Sequence, residues 1–474
     1  MDKSSALPAN SDAYFYPSFN LASVVSEYVH LPEVISFLKV RASYAESKDG
    51  GTQPFFSPNV SSTPASGYGY YWGSPYNGPT YQFVPTYTLA PTYSNQSSAS
   101  YSDQTVSKSI VTADRKALEF GADIRVLKNR LGLDVTRYHY KNTGIASQGT
   151  SNASGYSSNL TNGNTYTNDG WEATLTGKAL VNPHGVSWTV TANFFTYVKK
   201  WVNDANPDNW QHNGTRYDLV YGQGFVRAPD GKMVIDPTSG IYDTYSGLGS
   251  PAQKIFGHSD PDWQWGVVNT FSYKSFSLRF QFDGMVGGVI DDYVRDKTLQ
   301  GGRHKEAAEG ALGAARPSDE LNIPAYTGQG VNLVGAPIAL DPVSGKVTNM
   351  KQLTEVTNTT KSLVQPFVEN MSGISDLDII KKTDAKLREV TLTYKFSPTA
   401  FGRKSFIQNA TVSLVGRNLL YFFPQRYKDL DVDQYSQGVY STNANGTYSS
   451  TPSSSSGLQT PTTRSYGVNF NFSF

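Results

Sequence analysis

Trp263-Gln264-Trp265-Gly266-Val267-Val268-Asn269-Thr270-Phe271-Ser272-Tyr273, then Lys274-Ser275, then Phe276-Ser277-Leu278-Arg279-Phe280-Gln281-Phe282-Asp283, decides the fold class. In an extended chain successive side chains point to opposite faces, so residues two apart share a face. Trp265, Val267, Phe271 and Tyr273 then join Phe276, Leu278, Phe280 and Phe282, while Thr270, Ser272, Arg279, Gln281 and Asp283 alternate on the other side. Two such runs joined by a short turn predict a β-hairpin. Each arm is longer than the ~5–6 residues common in soluble sheets and suits a strand that crosses a bilayer on a tilt.

The same period recurs outward in both directions. In 37–47, Leu38, Val40, Ala42 and Tyr44 oppose Lys39, Arg41 and Ser43. A hairpin about Lys128-Asn129 sets Phe120, Ala122, Ile124 and Val126 beside Leu131, Leu133 and Val135. Residues 170–180 and 187–199 pair next, 388–396 and 410–420 continue the pattern, and the first strand is expected at about 14–27. At the end of the chain Tyr466, Val468, Phe470, Phe472 and Phe474 alternate with Gly467, Asn469, Asn471 and Ser473. A closing strand that ends in Phe resembles the signal that outer-membrane proteins present to the barrel-assembly machinery. Short polar turns such as Asn182-Pro183-His184-Gly185 alternate with long segments at about 48–116, 200–262 and 288–385. Transmembrane barrels have this asymmetry, with short periplasmic turns and long extracellular loops. The expected fold is therefore all-β, an antiparallel transmembrane β-barrel.

Composition agrees. Aromatic residues make up 13% of the chain, with 31 Tyr and 24 Phe. The mean hydropathy is −0.42, and no run reaches the ~18 apolar residues of a membrane helix. The formal net charge of +1 gives no basic excess of the kind that binds nucleic acid. There is no Cys among the 474 residues, which removes disulfide frameworks, Cys–zinc sites and thiol nucleophiles. Met1-Asp2-Lys3-Ser4-Ser5 is not a signal peptide, although an outer-membrane protein is exported through one.

Several stretches resemble the SusC/RagA-like family of TonB-dependent outer-membrane transporters of Bacteroidota. They are Tyr16-Pro17-Ser18-Phe19 with Phe37-Leu38-Lys39-Val40-Arg41-Ala42-Ser43-Tyr44; Asn129-Arg130-Leu131-Gly132-Leu133-Asp134-Val135-Thr136; Gly170-Trp171-Glu172; Asp260-Pro261-Asp262-Trp263-Gln264-Trp265-Gly266; Lys386-Leu387-Arg388-Glu389-Val390-Thr391-Leu392; and Val412-Ser413-Leu414-Val415-Gly416-Arg417-Asn418-Leu419-Leu420. The resemblance implies a plugged barrel of ~22 strands, of which the pattern here supplies about eleven or twelve, half of the wall. It also implies that the plug, the TonB box and the N-terminal strands are carried elsewhere, before residue 1 or on a second chain, because Asp2-Lys3-Ser4-Ser5 resembles the turn that follows a strand. The implied function is import of oligosaccharides or oligopeptides across the bacterial outer membrane, energised by TonB, with a SusD-like surface lipoprotein as lid. The alternative is a structural or adhesive surface barrel that transports nothing; an upstream plug would favour import.

Nothing in the chain reads as an active site: there is no Walker A loop, His-Glu-x-x-His or nucleophile elbow, and no cofactor is implied. Asp260-Pro261-Asp262 could be a calcium ligand pair, but it precedes a strand where the family places a rim turn. Arg303-His304-Lys305-Glu306 with Glu309 could form a short helix within the last of those long segments, the default reading being a solvated loop face. Arg279, Asp283, Arg388 and Arg417 lie in strands and are expected to face the lumen, since a lipid-facing Arg costs roughly 2–4 kcal/mol at mid-bilayer. The candidate substrate-binding residues are aromatics of the long loops, Tyr70, Tyr71, Trp72, Tyr76 and Tyr81 in the first and Trp210 and Tyr217 in the second. Aromatic faces stack on sugar rings or peptide side chains, and they equally pack a loop on itself or onto a partner. The sequence leaves both readings open.

Overall fold

Which face each side chain joins depends on register, because a one-residue slip between paired strands would exchange the two faces. The register that the computed structural model adopts keeps the alternation intact from strand to strand. The structure describes residues 2–3, 13–49, 87–93, 96–101, 104–106, 111–150, 158–182, 184–204, 207, 209–397, 400, 402, 407–423, 431–432 and 462–473.

Eleven strands form one antiparallel sheet. They are β1 Ser18–Val24, β2 Ile35–Asp49, β3 Ala113–Val126, β4 Leu131–Thr150, β5 Ser158–Leu180, β6 Val186–Asn203, β7 Trp263–Tyr273, β8 Phe276–Val286, β9 Asp384–Lys395, β10 Asn409–Phe422 and β11 Ser465–Ser473. Their order in the sheet is their order in the chain, from β1 at one end to β11 at the other. This up-and-down meander puts the connections 50–112, 151–157, 204–262, 287–383 and 423–464 all at one end of the strands and the short turns at the other. Gln104–Val106 adds in parallel to the start of β5. The first strand is shorter than expected, with Val25–Glu27 turning as a 3₁₀-helix.

The chain forms two compact units, chiefly residues 1–173 with 197–217, and residues 174–196 with 218–443 and 448–474. In the second, Phe271 pairs with Leu278 and Val267 with Phe282, Leu278 with Leu392 and Phe280 with Val390, Leu392 with Leu414, and Val412 with Phe470. One continuous apolar face results. None of Trp265, Val267, Phe271, Leu278, Phe280, Phe282, Val412, Leu414, Phe470 and Phe472 is buried, so among the described residues no protein core covers this face. Asn269 is the exception in sequence: the register places it on the apolar face, opposite Phe280. Its Oδ1 accepts from Trp188 Nε1 at 2.9 Å, which satisfies a polar group that hydrocarbon would penalise.

In the first unit, Leu38, Val40, Ala42 and Tyr44 pair with Ile124, Ala122, Phe120 and Leu118. Across the opposite face Arg41 reaches over β3 to grip Asp134 of β4 through two hydrogen bonds of 2.6 and 2.8 Å. Gly121 makes this possible, since a Cβ there would lie 2.5 Å from Arg41 Nε.

The long connections are built structures, which the sequence reading did not foresee. Residues 218–262 and 288–382 carry short antiparallel pairs, including Leu219–Gly222 with Lys254–His258 and Val331–Gly335 with Leu353–Thr357. They also carry helices α1 Tyr293–Gln300, α2 Lys305–Ala308, α3 Gly310–Ala315 and α4 Val364–Ser372. One core gathers Val226, Val234, Tyr245, Val331 and Leu333; another gathers Leu299, Leu312, Val364, Phe367 and Val368. The two connections lock together where Ile235 N donates to Val331 O at 2.8 Å and Asn332 Nδ2 to Ile235 O at 2.8 Å. The first turn of α4 is capped from a distance: Asp319 accepts from Val364 N at 2.9 Å and Gln365 N at 2.7 Å, an anion placed where the helix dipole favours one.

Candidate functional site

The polar face of β8, β9 and β10 carries the charges that the sequence singled out. Thr391 stands opposite Arg279, and Glu389 opposite Gln281. Between Gln281 and Phe282 the pairing with β9 slips, and the slip recurs between Leu387 and Glu389 on the β10 side, so Arg388 is an inserted bulge residue. Bulges re-aim side chains. Here the guanidinium turns onto Asp283 through Nε and Nη2, both at 2.8 Å. Alongside, Arg279 Nη1 donates to Glu389 Oε1 at 2.8 Å and Arg417 Nε to Glu389 Oε2 at 3.1 Å. Three guanidiniums thus share two carboxylates, and Arg417 is the most exposed of them, at 61%. A bilayer could not accept this face, whereas a hydrated or protein-filled interior can.

The candidate aromatics divide. Tyr70, Tyr71, Trp72, Tyr76 and Tyr81 lie outside the described residues. Tyr217 packs against Tyr166 at 4.9 Å and Trp201 at 4.6 Å. Its backbone N donates to Lys199 O at 3.0 Å, so the segment after β6 folds back on the end of that strand. Trp210 is half-buried in the same segment. Tyr217 thus packs within its own loop, one of the two roles the sequence left open for it.

Asp260 and Asp262 belong to a tight rim turn. Asp262 N donates to Val286 O at 2.8 Å, Asp260 N to Asp218 Oδ2 at 2.9 Å, and His258 Nδ1 bonds Asp260 O at 2.7 Å. Among the described residues no cluster of three His, Asp or Glu has metal-holding geometry. The expected short helix is α2, capped by His304 Nδ1, which accepts from Glu306 N at 3.2 Å. A cavity of about 480 Å³ opens near it, lined by Gln300, Arg316, Asp319, Glu320, Gln365 and Val368. No feature of the sequence reading pointed to this cavity. The signal that could have located its wall is Val364, Phe367, Val368 and Met371, apolar at i, i+3, i+4 and i+7.

Under α1 lies a buried charge cluster. Arg295 bonds Glu306 through Nη2 at 2.5 Å and Nε at 3.2 Å and also bonds Asp378. Burial pushes the Asp378 carboxyl up to about 7 against the pull of Arg295, and burial with the charge of Asp236 pushes Asp243 up to about 6. Both groups hold a proton more tightly folded than unfolded. The stability they lend is thus complete below their ordinary value near 3.8 and is lost as pH rises through 6 and 7. The expected result is a lobe about 2–4 kcal/mol less stable at pH 8 than at pH 4, read by hydrogen exchange in 288–382, with Asp378→Asn flattening most of the dependence. Equal protection at both pH values would contradict this assignment.

No protein-family model matches the sequence, and no curated protein is detectably similar to it. Solved structures are. The chain is similar to the RagAB peptide transporter, with a TM-score of 0.60 at 16% identity, covering 100% of this chain and 45% of that one. It is similar to the RagAB peptide importer in the open-open state, with a TM-score of 0.63 at 15% identity, covering 99% and 44%. For the closed-closed state the values are 0.57 and 15%, over 90% and 42%. The fold is that of these transporter barrels, and the chain spans less than half the length of the chains it matches.

Proposed function

We propose that this chain forms wall strands and extracellular loops of a TonB-dependent importer in the bacterial outer membrane, taking up oligopeptides or oligosaccharides beneath a SusD-like lipoprotein lid. The observation that carries the reading is a sheet in strict chain order, apolar on one face and ion-paired on the other, with the four longest connections, 50–112, 204–262, 287–383 and 423–464, at one end. The likeness to RagAB over the whole chain supports it and favours peptide over glycan. In this reading Arg279, Asp283, Arg388 and Arg417 face the lumen and meet a plug domain supplied by the remainder of the transporter, through which TonB acts. Substrate and lid contact falls to the long loops, with Trp210, Tyr217 and the aromatics Tyr70, Tyr71, Trp72, Tyr76 and Tyr81 as the candidate residues. Deleting the gene should abolish growth on an oligopeptide or oligosaccharide source while leaving growth on the free monomers intact, and a tagged protein extracted in mild detergent should carry a lipoprotein with it. Unchanged growth on every oligomer tested would favour the structural or adhesive barrel.

A further inference from the structure

The apolar face of the first unit does not end at a bare rim. Along β4 that face reads Leu131, Leu133, Val135, then Arg137, His139 and Lys141; along β3 it reads Val126, Ile124, Ala122, Phe120, Leu118, then Lys116 and Asp114. On β2 it reads Leu38, Val40, Ala42, Tyr44, then Glu46 and Lys48. On β2 and β3 the change from apolar to charged falls toward the long-connection end, at Glu46 and Lys116, whereas on β4 it begins deeper, at Arg137 opposite Phe120. Ten residues from Leu131 to Lys141, at ~3.4 Å each and a barrel-like tilt of ~40°, rise about 25 Å, the height of the apolar band of an outer-membrane barrel. The charged row thus sits where acyl chains give way to head groups.

Its charges are incompletely matched. Lys48 bonds Asp114 at 2.8 Å and lies 3.8 Å from Glu46. Lys116 reaches Glu46 at 3.5 Å and Asp114 at 3.8 Å. Asp169 is held by Arg137 at 2.7 Å and His139 Nδ1 at 3.0 Å, with the Arg137 guanidinium 5.5 Å from the Trp171 ring. Lys141 is exposed, and among the described residues no acid pairs with it. It stands directly opposite Lys116, and like charges facing each other across a strand pair repel. Glu46 and Asp114 answer the charge of Lys116, which leaves Lys141 as the cation an outside anion would match, above a band whose cover is apolar.

We propose that Lys116 and Lys141, flanked by Arg137 and His139, bind the phosphate head group of an anionic membrane lipid whose acyl chains lie on Leu118, Phe120, Leu133 and Val135. A lipid meets both requirements because the cationic pair and the apolar band are continuous on one face. The proposal rests on the membrane reading above.

The test is native mass spectrometry of the full protein from mild detergent, titrated with phosphatidylglycerol or with phosphatidylcholine of the same acyl chains. The wild type should retain phosphatidylglycerol about tenfold better. Lys116→Gln with Lys141→Gln should bring the ratio near one, the Lys→Arg pair should keep it, and Lys39→Gln, on the opposite face, should leave it unchanged. A wild-type ratio near one, or a Gln pair that behaves as wild type, overturns the proposal. So does displacement of the lipid by inorganic phosphate, which would mark a site for free anions. Failure of the membrane reading would be seen separately, as a wild-type protein with no heat-modifiable barrel band.

Discussion

Residues 1–474 expressed alone should fail to give a heat-modifiable, protease-resistant barrel in the outer membrane, whereas the same residues together with strands that pair with both edges of the sheet should give one. The reason is the sheet's edges. Among the described residues β1 and β11 each pair with one neighbour in the sheet, β2 and β10 respectively. Their outer backbone N–H and C=O groups would meet hydrocarbon, where each unpaired group costs several kcal/mol. β1 spans seven residues and β11 nine, so even partial exposure of two such edges exceeds the ~5–15 kcal/mol by which a folded protein is stable. Strands from elsewhere should therefore pair with both edges by backbone hydrogen bonds. A stable barrel assembled from 1–474 alone would mean that β1 and β11 close on each other and that the chain is a complete small barrel.

Phe367→Ala should open the loop lobe without dissolving the sheet. Phe367 is 1% exposed, and its ring meets Tyr326 at 4.7 Å and Tyr242 at 4.9 Å. Gly328 passes so close that a Cβ there would lie 2.6 Å from the ring. Backbone walls of this kind cannot collapse into the space a truncation leaves, so the cost should fall at about 3–5 kcal/mol. Hydrogen exchange should rise throughout the α1–α4 region and the 326–327 and 361–362 pair, while β7, β8 and β9 keep their protection. Loss of protection in those strands as well would show that lobe and sheet fold as one cooperative unit.

The sheet was legible wherever it must satisfy two environments at once. Phe276 to Asp283 alternates because one face is apolar and the other ion-paired, and the register of β7 through β11 follows that alternation. Legibility failed where the constraint lapses. β5 begins at Ser158, well before the 170 expected from the pattern, because Ser158-Asn159-Leu160-Thr161-Asn162-Gly163-Asn164 is largely polar on both faces and carries no period to detect. Asn269 looked like a break in the apolar stripe because its partner Trp188 is 81 positions away in sequence. The bulge at Arg388 is equally invisible in one dimension, and so is its consequence, a guanidinium turned onto Asp283. The loop lobe was missed because its strands are short and its cores draw on two connections far apart in the chain. Of the candidate binding aromatics, Tyr217 packs against Tyr166 and Trp201, contacts that the sequence could not show.

The absence of cysteine makes the membrane assignment directly measurable by single-cysteine labelling in intact outer membranes. Phe280→Cys, Leu414→Cys and Phe470→Cys should resist a charged, water-soluble maleimide and react with a lipid-soluble one. Gln281→Cys and Ser413→Cys, one residue away on the opposite face, should show the reverse preference. If the Phe280, Leu414 and Phe470 positions label with the water-soluble reagent as readily as an exposed loop position such as Ser344→Cys, the apolar face does not lie in lipid and the account of this protein as an outer-membrane barrel is wrong.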